Sequence, residues 1–137
     1  MRRRGYSVNL DADVISITHG TNCWTRTPHS LDMMLAAVAG FIDTVRQGHP
    51  ETPIVVVSPV IRPDAETTPN RFGATLGDLR LAMEEEASHR DVVLIPGADL
   101  ITADNLADGI HPDDEGHRIM AGVIGAEVAK AVAAAAS

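Results

Sequence analysis

Two short stretches hold the side chains best suited to chemistry. In "DGIH", Asp108 to His111, a carboxylate stands three residues before an imidazole. Gly109 permits a tight turn between them, and Pro112 biases His111 toward extended backbone and away from any helix that follows. Asp108 can therefore orient His111, and a positioned imidazole is the commonest general base. In "HGTNCW", residues 19 to 24, Asn22 and Cys23 follow Gly20 just past an apolar run. Loops at the carboxyl ends of strands line the ligand crevice of open α/β sheets. Asn22 either serves a ligand there or closes a turn, as Asn often does. Cys23, the only cysteine, could form a dyad with His111 or stay buried and inert. Ser58 ends another apolar run, but Pro59 follows it, so no helix N-terminus activates its hydroxyl and a structural role is expected.

These side chains need a scaffold, and the chain spells one out. "DVISITHG" (13–20), "PIVVVSPV" (53–60) and "DVVLIPG" (91–97) are short, rich in Val and Ile, and bounded by Pro, Gly or Asp, which predicts buried strands. Their near-continuous apolarity predicts a parallel sheet covered on both faces. Between the first two, Leu31, Met34, Leu35, Val38, Phe41, Ile42 and Val45 form a helical stripe, with Ser30 as N-cap and Gly48 as stop. A second helix follows Thr75, with Leu76, Leu79, Met83 and Ala87 inward and Glu84, Glu85 and Glu86 toward water. The last follows Pro112, carries Asp113, Asp114 and Glu115 in its first turn, and is expected to bury Ile119, Val123, Ile124, Val128 and Val132. Segment 61–75 is the longest irregular stretch, of a length that shapes a binding site or moves. The element order predicts one α/β domain over residues 1–137, with 1–12 linker-like or disordered and right-handed crossovers between strands.

Composition narrows the function. The 137 residues make about one domain, and 45% hydrophobic with 22% charged residues is ordinary for a folded chain. A net charge of −8 repels phosphate backbones and anionic headgroups, and 3% aromatics leave no base-stacking platform, so nucleic acid is not an expected partner. No apolar run is expected to reach membrane-spanning length, and "MRRRGYSVNL" lacks the apolar segment of a signal peptide, so a soluble, intracellular chain is expected. A single cysteine excludes an intrachain disulfide, and no carboxylate or cysteine cluster has metal-ligand spacing, so no cofactor or metal is expected. On that ground His19 and His117 are expected to be packing or surface residues. No nucleotide-binding glycine motif follows a strand.

"GTN" at a strand end, together with "DGIHPDDEGHRIMA" before the last helix, resembles the SGNH or GDSL hydrolase family of esterases and acylhydrolases. The resemblance implies a three-layer α/β/α, flavodoxin-like parallel sheet, an oxyanion-hole role for Gly20 and Asn22, and triad roles for Asp108 as orienter and His111 as base. It implies a small ester or acylated carbohydrate as substrate. The family's serine nucleophile sits in a Gly-Asp-Ser block on an earlier strand, and none of Ser7, Ser16, Ser30, Ser58, Ser88 and Ser137 has that setting. The chain thus matches an N-terminally truncated form, expected to be inactive or weakly active alone unless Cys23 or Ser58 substitutes. A noncatalytic carbohydrate- or acyl-binding or assembly domain is the alternative. Without the earlier strand, residues 14–18 become an open sheet edge, and such edges recruit partners, so self-association is expected.

Overall fold

A computed structural model describes residues 10–137. The linker expectation for residues 1–12 therefore falls mostly outside the described residues. Three parallel strands, β1 (Ile15–Thr18), β2 (Ile54–Val57) and β3 (Val93–Ile95), lie in the order β1-β2-β3, with Ile15 opposite Ile54 and Val55 opposite Val93. Helices α1 (Leu31–Gly48) and α2 (Leu76–Ser88) cover one face and α3 (Asp114–Ala136) the other, giving the expected three layers.

β2 is buried on both sides. Ile54 and Val56 pack with Met34, Val38, Ile42, Leu79 and Met83, whereas Val55 and Val57 face Ile95, Leu100, Ile101 and Ala131. A central parallel strand between two layers needs apolar side chains on both faces, hence "IVVV". β1 differs from the near-continuous apolarity expected of it. Ile15 and Ile17 are half-buried toward α1, while Ser16 and Thr18 are exposed, because no helix covers that face at the sheet edge.

Each helix starts where its cap predicts. Ser30 Oγ accepts from the Met33 amide, and Thr75 and Asp78 form a reciprocal capping box. Asp113 is the cap of α3 rather than part of its first turn, its carboxylate accepting from the Gly116 amide at 2.7 Å. Three inward assignments change. Leu31 and Phe41 of α1 are exposed, Phe41 by 51% where it lines the groove beside β1. Val123 of α3 is 42% exposed and Ile119, Ile124, Val128 and Val132 are only half-buried, because among the described residues no other helix shares its layer. Of the acidic run only Glu85 is fully solvated: Glu84 accepts from Ser58 and Glu86 from Arg90. The expectation about membrane-spanning length also changes. At 23 residues α3 is long and apolar enough to cross a membrane, since its many Ala and Val residues raise its hydropathy without the bulky runs that catch the eye. One side of it nevertheless packs on the sheet through Ile119, Met120, Ile124, Val128 and Ala131.

Candidate active site

Gly20, two residues past β1, has φ of 123°, a region that favours glycine, and a Cβ there would lie 2.6 Å from Pro59 Cγ. The chain then makes a single 3₁₀ turn, Thr21–Cys23, closed by the Cys23 amide donating to Gly20 O at 2.9 Å. Asn22 is exposed, and its backbone carbonyl accepts from the Thr27 amide at 2.8 Å. Its side-chain amide makes no hydrogen bond to any described residue. A turn-closing Asn bonds its own backbone, so the Asn22 carboxamide is left available for a ligand.

Segment 61–75 braces this turn. Trp24 Nε1 donates to Thr68 O at 2.8 Å, the Arg62 guanidinium stacks 5.0 Å from the Trp24 ring centre, and Asn70 Nδ2 donates to His29 O at 2.9 Å. Asn70 Oδ1 in turn accepts the Phe72 and Ala74 amides. The long irregular stretch is thus a tied support of the Asn22 turn. Neither Trp24 nor Asn70 stood out in the sequence, because their partners lie more than forty positions away.

The Asp108–His111 pair forms as its spacing predicts. Gly109 takes φ of 81°, Asp108 Oδ1 accepts the Ile110 and His111 amides at 2.9 and 2.7 Å, and Oδ2 lies 2.7 Å from His111 Nδ1. The His111 amide, then the His111 ring and the Ile110 amide, hold the Asp108 carboxyl far below the usual carboxylate range. The carboxylate therefore fixes the proton of His111 on Nδ1 and leaves Nε2 as the basic atom. The loop is anchored by pairing of Leu106 with Pro112 and by the Asp113 amide donating to Asn105 O at 2.7 Å. His111 is 74% and Asp108 54% exposed at the side chain, so the basic nitrogen faces open space.

The first block follows β1 directly, and the second lies in the connection between β3 and α3, after the turns Gly97–Asp99 and Ala103–Asn105. No hydrogen bond between described residues joins them. Neither candidate nucleophile is hydrogen-bonded to His111. Ser58 is buried, its hydroxyl donating to Glu84 Oε1 at 2.6 Å and accepting from the Gly97 amide at 2.8 Å, which is a structural clamp. Cys23 is 2% exposed, its Sγ lies 3.5 Å from His19 Nε2, and burial pushes its thiol pKa up. His19 is therefore the partner of Cys23. We expect iodoacetamide to alkylate Cys23 at least tenfold more slowly in the native chain than in urea, followed by mass spectrometry; equal rates would contradict its burial. Ser7 lies outside the described residues. Among the described residues, no three His, Cys, Asp or Glu side chains gather as metal ligands.

The carboxylate-bound imidazole of His111 and the exposed Asn22 carboxamide both lie in loops of this parallel-sheet fold. No curated protein matches the chain in sequence. Among solved structures, a salicylyl-acyltransferase from a tetracycline biosynthetic pathway is 27% identical, with a TM-score of 0.68 over 85% of this chain and 37% of its own. A carbohydrate esterase of family 3 from Talaromyces cellulolyticus is 20% identical, with a TM-score of 0.78 over 94% of this chain and 63% of its own. A peptidoglycan O-acetylesterase shares the fold at 13% identity, with a TM-score of 0.73 over 93% of this chain and 40% of its own. The chain therefore spans between about a third and two thirds of the length of these proteins. A model of the GDSL-like lipase/acylhydrolase family matches residues 1–119, and the chain belongs to that family.

Proposed function

We propose that this chain carries the base-and-oxyanion half of an ester-hydrolase or acyltransferase site. The observation that carries this reading is the Asp108–His111 pair at 2.7 Å, with Asp108 held by two backbone amides and His111 Nε2 unpartnered. His111 would take the proton of an attacking hydroxyl, Asp108 would stabilise the imidazolium that forms, and Asn22 would donate to the developing oxyanion beside the backbone at Gly20. A preorganised donor of that kind is worth about 3 to 4 kcal/mol of barrier. The substrate class is a small ester or an acylated carbohydrate. Alone, the chain is inactive or nearly so, because no described hydroxyl or thiol reaches the basic nitrogen.

The test is hydrolysis of p-nitrophenyl acetate by the purified chain, run beside His111→Ala and Asn22→Ala. We expect no turnover above the two variants. Turnover that both substitutions abolish would reveal a nucleophile near His111 and overturn the inactivity. Turnover that survives both would overturn the site itself. Binding of an O-acetylated oligosaccharide without turnover, lost in Asn22→Ala, would favour the second reading, a noncatalytic ligand-binding domain, which the unengaged Asn22 carboxamide also supports.

A further inference from the structure

The Asn22 turn is closed from within, by the Cys23, Thr27 and His29 amides donating to the Gly20, Asn22 and Cys23 carbonyls. These bonds give the turn its shape but do not register it against the rest of the fold. Trp24 does that, half-buried against the core under α1 and α2. Its indole is held at the edge by Thr68 O, 2.8 Å from Nε1, and on the face by the Arg62 guanidinium, 5.0 Å from the ring centre. Arg62, shortly past β2, is itself fixed. Its amide donates to Glu66 Oε1 at 2.8 Å, and its carbonyl accepts the Ala65 and Glu66 amides at 3.0 and 3.1 Å. Buried Arg80 in turn ties Glu66 to the Pro59 and Val60 carbonyls that lead out of β2. Asp64 takes Nε and Nη2 of the Arg62 fork at 2.9 and 3.1 Å, and the side chain is 12% exposed, so its charge is matched within the segment and its plane is turned to the indole.

We infer that Arg62 is a positioning residue for Asn22: its stack on Trp24 carries the position of the β2 end across to the loop after β1, and so sets where the Asn22 carboxamide stands. The inference rests on the reading of Asn22 as a donor to the oxyanion, but its test needs no substrate. Without the guanidinium, the indole keeps the Thr68 bond alone. The turn then opens locally, and Cys23, the neighbour of Asn22, meets solvent while the sheet stays folded. A donor in a turn that opens in this way is no longer preorganised, which is the property an oxyanion site depends on.

The turn holds its own reporters, since Cys23 and Trp24 are the only cysteine and the only tryptophan in the sequence. In the full chain, Arg62→Gln is expected to speed Cys23 alkylation by iodoacetamide about tenfold, with a gain that changes little in low urea, as local opening exposes little surface. Trp24 emission should move to longer wavelength. Arg62→Lys keeps the charge without the planar fork and is expected to give a smaller gain. Arg90→Gln, which loses the ion pairs to Asp43 and Glu86 away from the turn, is the control and should leave the Cys23 rate in low urea unchanged. In a Trp24→Leu background Cys23 is already fast, and Arg62→Gln should add less than about twofold, because the two changes remove one contact. An unchanged Cys23 rate in Arg62→Gln, an equal gain in Arg90→Gln, or a full gain from Arg62→Gln without Trp24 would each overturn the inference. Should Arg62→Gln not fold, an unchanged rate in Arg62→Lys overturns it equally. Failure of the oxyanion reading would show in Asn22→Ala and leave these rates as they are.

Discussion

Gly97→Ala is expected to cost about 4 kcal/mol of folding stability, near the upper end for a single methyl group. A Cβ at Gly97 would lie 1.9 Å from Ser58 O and 2.5 Å from Pro59 O, both backbone atoms that no side-chain rotation can move. The contact exists because the chain after β3 crosses directly over the end of β2, where the Gly97 amide donates to Ser58 Oγ and the Ser58 amide to Ile95 O. Pushing the two apart breaks both bonds and strands Glu84, which holds the same hydroxyl. The measurement is the urea midpoint at constant m-value. Gly40→Ala and Gly122→Ala are the controls. Both are helical positions with nothing within 4 Å of the added methyl, and each should stabilise by about 0.5 to 1 kcal/mol. A loss at Gly97 no larger than at those sites would mean that the β2 and β3 ends are not in contact.

Arg80→Met is the second large effect, expected to cost about 3 kcal/mol. Arg80 is buried at 6% exposure and donates to Pro59 O at 2.6 Å, Val60 O at 3.0 Å, and both Glu66 oxygens at 2.6 and 2.8 Å. Methionine fills much of the same volume with no donor, so the Pro59 and Val60 carbonyls and Glu66 Oε2 lose the Arg80 donor they hold. Because Glu66 also accepts from the Arg62 amide, the damage spreads to segment 61–75 and thence to Trp24 and the Asn22 turn. The same residue predicts an acid response. Burial raises the Glu66 pKa, but the Arg80 hydrogen bonds, the Arg62 amide and the Arg80 charge outweigh it and bring it below its ordinary 4.5. The folded chain then binds fewer protons than the unfolded one, so the pair stabilises above that ordinary value and the benefit fades as pH falls below it. The urea midpoint should drop on acidification from pH 5 to 3, and more shallowly in Arg80→Met. Equal slopes would show that Glu66 is not linked to Arg80.

Several features were legible in the residues because they depend on near neighbours. Alternation or runs of Val and Ile placed all three strands, the stripes from Leu31 and Leu76 placed two helices, and Ser30 and Thr75 marked their starts. The Asp108–His111 pair belongs here too. Its turn is local, made by Gly109 and closed by two amides within three positions, so spacing alone predicted it. The family resemblance rested on that block and on Gly20–Asn22, and the match over residues 1–119 agrees.

What neighbours far along the chain contribute was hidden. The triple-glutamate run on α2 looked solvated, yet Glu84 accepts from Ser58, twenty-six positions earlier, and the same bond engages the Ser58 hydroxyl. Cys23 could have met either of two histidines, and only packing sets it on His19, away from His111. Arg80 looks like any surface helix residue until the end of β2 folds beneath it. Helix periodicity likewise says which residues share a face, but not whether a layer covers that face. Leu31, Phe41 and Val123 follow the apolar pattern and still stand exposed, because among the described residues no element packs over them. Local sequence thus determined the elements, their caps and the Asp108–His111 hydrogen bond, since each needs only a few successive residues. The tertiary structure alone decided burial and the hydroxyl and thiol partners, since these are set by which distant segments share the same small volume.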